Sequence, residues 1–114
     1  MPYIGDQIIA VLYHVAVSLN AEIERHITEY GVTEFVIGRY GRFDALAAKC
    51  VKAAKKRHPE VMLTLLLPYH PYDRPTPTPP GFDSTFYPPG METVPKQVGI
   101  VSLPKHMRYI ANLL

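Results

Sequence analysis

The chain carries a single cysteine, Cys50, so no disulfide can close within it, and the lone thiol fits a reducing interior. It has no surplus of one charge: twelve basic residues stand against ten acidic ones in 114, which implies no bulk attraction to nucleic acid or to a membrane surface. A long apolar run is also missing. Residues 7–19 come nearest, but they include Gln7, His14 and Ser18, and no basic residue precedes them. That argues against a secretory signal, and the stretch is too short and too polar for a membrane span. His14, His26, His58, His70 and His106 are scattered with no H-x3-H pair, so no metal site is expected. No serine lies in a nucleophile-elbow context, and Cys50 reads as a small core residue rather than a nucleophile. No catalytic residue and no cofactor are therefore assigned, and no internal repeat is visible. What remains is 47% apolar residues, enough for the core of one soluble cytoplasmic domain spanning residues 1–114.

Hydrophobic periodicity organises the first half. Ile8, Leu12, Val15, Leu19, Ile23 and Ile27 recur every three or four positions, predicting a helix over 7–30 that Gly31 ends. Residues 33–38 (TEFVIG) are apolar without alternation, as in a strand covered on both faces. A second helix is predicted over 44–57, with Phe43, Leu46, Ala47, Cys50, Val51 and Ala54 on its buried side. Its wet side carries Lys49, Lys52, Lys55, Lys56 and Arg57, loaded toward the C-terminus where the helix dipole favours cations. Pro59 blocks continuation, and 61–67 (VMLTLLL) is again of buried-strand character. Strand, helix and strand in this order predict a right-handed βαβ unit.

The composition then shifts. Residues 68–95 hold nine of the twelve prolines and read as a long loop, with 75–80 (PTPTPP) the most mobile or locally polyproline II. Residues 97–103 (QVGIVSL) read as a third strand, and 106–114 as one short terminal helix after Pro104. The expected fold class is α/β: a Rossmann-like, three-layer domain with a small, mostly parallel sheet of three or four strands. Its exposed sheet edges make self-association, a homo-oligomer, the expectation.

The junction of the first strand with the second helix reads GRYGRFD. Glycines there let the backbone approach a phosphate, and the first amides of the helix form an anion site. Gly38, Arg39, Tyr40, Gly41, Arg42 and Asp44 are the candidate ligand-binding residues. The arginines supply charge-assisted forks to phosphate, and Asp44 either caps the helix or accepts from a sugar hydroxyl. The same residues also permit a plain reading: a tight turn, solvated arginines and an N-cap.

Tyr69, His70, Tyr72, Phe82, Phe86 and Tyr87 surround Arg74 in the proline-rich segment. Tyr69, Tyr72 and Tyr87 are candidates for stacking on a base, or else anchor the loop. Asp73 and Asp83 read as solvated loop charges rather than a carboxylate pair. The lysine stripe of the second helix reads as a solvated face, or as a track for a nucleic-acid backbone.

GRYGRFDALAAKCVKAAKKRHPEV, then LLLPY, then FDSTFYPPGMETVPKQVGIV, resembles the SLOG superfamily over roughly residues 20–101. These Rossmann-like domains are related to the nucleotide-processing LOG proteins and the DNA-processing proteins of bacterial transformation. The similarity is to the small, uncharacterised bacterial and phage branch. The matching positions are Gly38, Gly41, Asp44, Tyr87, Pro88, Glu92, Val94 and Pro95. The resemblance implies a nucleotide-derived ligand at the first turn. The chain departs from the family at both ends. It opens MPYIGDQII, without the family's first strand, and ends SLPKHMRYIANLL, where the family continues into a second ligand-contacting turn. The glycine-rich, glutamate-bearing motif of the enzymatic members has no match, so the expected role is sensory or regulatory rather than catalytic. The competing expectations are a nucleic-acid-binding module, and a shortened structural or interaction protein without a ligand.

Overall fold

Phe35, Val36 and Ile37 are all buried, although they face alternately across the sheet. A strand with both faces covered must be interior, and the computed structural model, which describes residues 4–39, 41–69, 72–87 and 103–113, places it there. The order of elements is α1 (Ile4–Tyr30), β1 (Glu34–Ile37), α2 (Arg42–Arg57), β2 (Met62–Leu66), β3 (Ser84–Phe86), β4 (Met107–Tyr109) and a 3-10 turn over Ile110–Asn112. The four strands form one sheet in the order β3-β2-β1-β4. Every pairing is parallel, with Phe35 opposite Leu63 and Arg108, and Thr64 opposite Ser84. The fold is a small α/β domain of Rossmann-like type.

The sequence accounts for the central elements. Gly31 takes φ +67, which a side chain disfavours, and the amide of Val32 donates to the His26 carbonyl at 3.0 Å, closing α1. α2 begins two residues before its expected start and ends before Pro59, burying Ala47, Cys50, Val51 and Ala54. Phe43 and Leu46 are half-buried at the margin of the same core.

Both helices lie on one face of the sheet. Leu19 and Ile23 of α1 share a cluster with Ala47 and Val51 of α2 and with Phe35, Ile37 and Leu63. The other face carries a smaller cluster of Val36, Met107 and Tyr109, flanked by Leu66, Phe86 and Leu103. Among the described residues, then, the second helical layer of a three-layer arrangement is not present. Among the described residues the one helical crossover is α2. The β2–β3 connection, crowded with prolines, has too few free N–H groups to form another.

Three expectations are corrected. The segment 68–95 is not loop throughout, because its proline-free window contains β3. The terminal helix over 106–114 is instead β4 and a single 3-10 turn, since Met107 and Tyr109 point into the sheet's second cluster. Asp83, although exposed, is tied into the fold rather than only solvated: it bonds Lys55 and accepts the Leu63 N–H at 2.8 Å. The strand expected at 97–103 falls on 97–102 outside the described residues, and Leu103 itself belongs to neither helix nor strand.

Candidate functional site

At the carboxyl end of β1 the chain leaves the sheet through Gly38 and Arg39 and enters α2 at Arg42. Gly41, the N-cap of α2, has φ 92 and ψ -176, a conformation open essentially to glycine alone. An added Cβ there meets nothing within 4 Å, so the constraint is the backbone torsion and not space. A glycine cap offers no side-chain acceptor, and none bonds the cap. The Ala45 amide reaches the Gly41 carbonyl at 3.3 Å, and the earlier amides of the turn lack that kind of intrahelical partner.

This turn borders a cavity of about 210 Å³. Gly38, Arg39, Gly41 and Asp44 form its polar rim, and Ala45, Ala48 and Phe82 its apolar floor. A second cavity, of about 320 Å³, opens beside it at the carboxyl end of β2. Leu65, Leu66, Leu67 and Pro68 form its wall, and Tyr69, Arg74, Thr76 and Arg39 its mouth. Arg39 lines both. In open α/β sheets, ligands settle in crevices at the carboxyl ends of strands.

The electrostatics there are one-sided. Among the described residues neither Arg39 nor Arg42 makes an ion pair, and Arg74 holds its guanidinium over the Tyr69 ring, 4.3 Å from the centroid. Asp44, half-buried in the first turn of α2, is the one carboxylate among the described lining residues.

The structure thus brings together four of the six candidate residues, Gly38, Arg39, Gly41 and Asp44. Arg42 is exposed on the first turn of α2 and lines neither cavity, and Tyr40 lies outside the described residues. Of the three tyrosines, Tyr69 lines the larger cavity. Tyr72 is 89% exposed and Tyr87 is half-buried after β3, and neither is part of either lining. Sequence reasoning grouped Arg74 and Phe82 with the loop aromatics and passed over Thr76 and Pro68. Their approach to Arg39 or to Gly41 depends on how the β2–β3 connection folds back, and no local motif marks it.

Arg39 and Arg74 are the cationic groups of the two linings. The described lining has no histidine, serine or cysteine to act beside Asp44. Cys50 is buried in the core, and burial pushes its thiol pKa up, away from reactivity. No cluster of three metal-ligating side chains occurs among the described residues, and no described helix is long and apolar enough to cross a membrane. Comparison of the chain with protein-family models, with curated proteins and with solved structures returned no match.

Proposed function

We propose that this chain binds a nucleotide or another phosphorylated small molecule at the carboxyl ends of β1 and β2, as a sensory or regulatory module rather than an enzyme. The observation that carries this reading is Arg39. It stands without an acidic partner among the described residues, lines both cavities, and sits beside the start of α2, where the N-cap Gly41 has no side chain to offer. Gly41 lets the backbone turn tightly into α2, and Asp44 borders the same cavity. The SLOG-like turn GRYGRFD argues in the same direction.

A nucleic-acid track along α2 has less support. Lys52 lies over the Phe82 ring, Lys55 is bonded to Asp83, and Arg57 is paired with Glu24. Three of the five cations are thus engaged within the fold, and no continuous row is left for a phosphate backbone. The exposed apolar residues Val11, Tyr13 and Val17 of α1 and the three-residue edge strands β3 and β4 fit a self-associating cytoplasmic protein. Sedimentation velocity over a concentration series tests that point.

The main test is calorimetry with AMP, ADP, cyclic dinucleotides and ADP-ribose, on the wild type and on Arg39→Gln. A bound ligand lost in the variant supports the proposal. No heat from any of them, with no thermal shift, overturns it.

A further inference from the structure

Arg39 comes from the β1–α2 turn and Arg74 from the β2–β3 connection, yet both line the 320 Å³ cavity. No carboxylate is among the described residues lining it. Both are exposed, and together they give the rim of a largely apolar cavity two positive charges that no lining carboxylate balances. Neither has an ion pair among the described residues. Arg74 has a resting place, the face of Tyr69, with its Cζ 4.3 Å from the ring centroid. Tyr69 is itself half exposed, so the contact is a weak one in wet surroundings. A bidentate fork to a phosphate oxygen pair is stronger than a guanidinium resting on an exposed ring.

We propose that Arg74 is the second anion-binding group of this site, so that the ligand class is one with two linked anionic groups, a diphosphate rather than a monophosphate. One anionic group lies against Arg39 and the α2 amides. The other is taken by Arg74, which leaves the Tyr69 ring to reach it. Tyr69 is then a positioning residue, holding Arg74 near the mouth. The proposal rests on the reading of an anion site at Arg39.

The experiment is calorimetry at fixed ionic strength with EDTA present, using inorganic phosphate and inorganic diphosphate, then AMP and ADP. The wild type is expected to prefer each diphosphate by about tenfold or more, the value of one added charge-assisted contact. Arg74→Gln should cut that preference to about threefold or less while leaving monophosphate affinity within about twofold, because only the second contact is lost. Arg39→Gln should weaken all four ligands together. Tyr69→Leu, which removes the resting place, should leave diphosphate binding unchanged or slightly tighter. A diphosphate preference that survives Arg74→Gln overturns the role of Arg74 and leaves the anion site standing. So does a wild type that binds monophosphate and diphosphate alike. If none of the four ligands binds, the anion site itself fails and takes this proposal with it. Arg74 is exposed, so an unchanged thermal transition in the Gln variant shows that folding is not the cause.

Discussion

Where α2 ends, Arg57 and His58 both reach Glu24 of α1, at 3.2 and 2.8 Å, and Lys55 one turn earlier bonds Asp83. Close by, at the start of β1, His106 lies 3.7 Å from Glu34. Where α2 begins, Arg39, Arg42 and Arg74 have no acidic partner among the described residues, and Asp44 is the one carboxylate of that turn. The two ends of one helix are thus treated oppositely. At the amino ends of the strands, cations sit at the negative end of the α2 dipole, and two of them, Lys55 and Arg57, stand opposite acids before β3 and on α1. At the carboxyl ends, arginines gather near the positive end of the same dipole, where the helix gains nothing from them. Pairing at the first end holds the helices and strands together. At the second, no such pairing joins the described arginines to the fold.

The largest effect expected at the carboxyl end comes from the backbone and not from charge. Gly41→Val forces a β-branched residue into φ 92, ψ -176, and should cost about 2–3 kcal/mol of stability in urea melts, with the α2 start frayed. A variant as stable as the wild type would mean that the turn relaxes freely and does not need Gly41. At the amino end, Asp83→Ala removes the acceptor of the Leu63 N–H and the partner of Lys55 together, and should cost about 2 kcal/mol in the same assay. A loss well below 1 kcal/mol, the ceiling for an ordinary surface pair, would show that the amino end is no better settled than the carboxyl end.

Acid sharpens the comparison. The His58 hydrogen bond, against some cost of burial and with help from Arg57, holds the Glu24 carboxyl below its ordinary value. Burial pushes Asp83 up, but the Lys55 ammonium and the Leu63 N–H together outweigh it and bring that carboxyl down. With both lowered, the folded chain binds fewer protons than the unfolded one. The stability they contribute is complete above the ordinary carboxylate range, about pH 4, and is lost as the pH falls through their folded values. Glu24→Gln should therefore flatten the loss of stability between about pH 4 and pH 2, and cost about 0.5–1 kcal/mol at neutrality. Thermal melts across pH read both. An unchanged acid slope would place the charge coupling elsewhere.

How much of this was legible beforehand depended on whether the cause was local. β1, α2 and β2 were plain in the sequence, because an unbroken apolar run or a cation-loaded helix face needs no knowledge of its partner. β3 and β4 were not. Each is three residues long and owes its shape to pairing, Ser84–Phe86 along β2 and Met107–Tyr109 along β1. The repeat that announces α1 gave its helicity and its inner face: Leu19 and Ile23 are buried and Val15 and Ile27 half-buried, whereas Val11, Tyr13 and Val17, outside the repeat, are exposed. The glycine–arginine turn was visible as a site candidate for the same reason that β1 was, since its pieces are neighbours in the chain. Arg74 and Phe82 reach that turn only through the folded β2–β3 connection. The lysine stripe looked solvated because Asp83 and Glu24, which hold two of its members, come from far along the chain.

The smallest expected effect bears hardest on the contrast between the two ends. Replacing Arg39, Arg42 or Arg74 singly by glutamine should change stability by no more than about 0.5 kcal/mol in buffer free of phosphate, the range of an exposed residue with no structural duty. Combining all three should leave the melting temperature unchanged or slightly higher, because three like charges near a helix N-terminus repel one another and the dipole. The same variants should lose whatever stabilisation a phosphorylated ligand gives the wild type, since a ligand that binds only the folded state raises its stability in proportion to the logarithm of its concentration over Kd. The two measurements separate the roles cleanly. A charge that serves folding is missed in plain buffer, whereas one that serves a ligand is missed only when the ligand is present. If the triple variant instead melts as early as Asp83→Ala does, those arginines are tied into the fold like Lys55 and Arg57. The carboxyl end would then be a second internal clamp, with nothing left over for a guest.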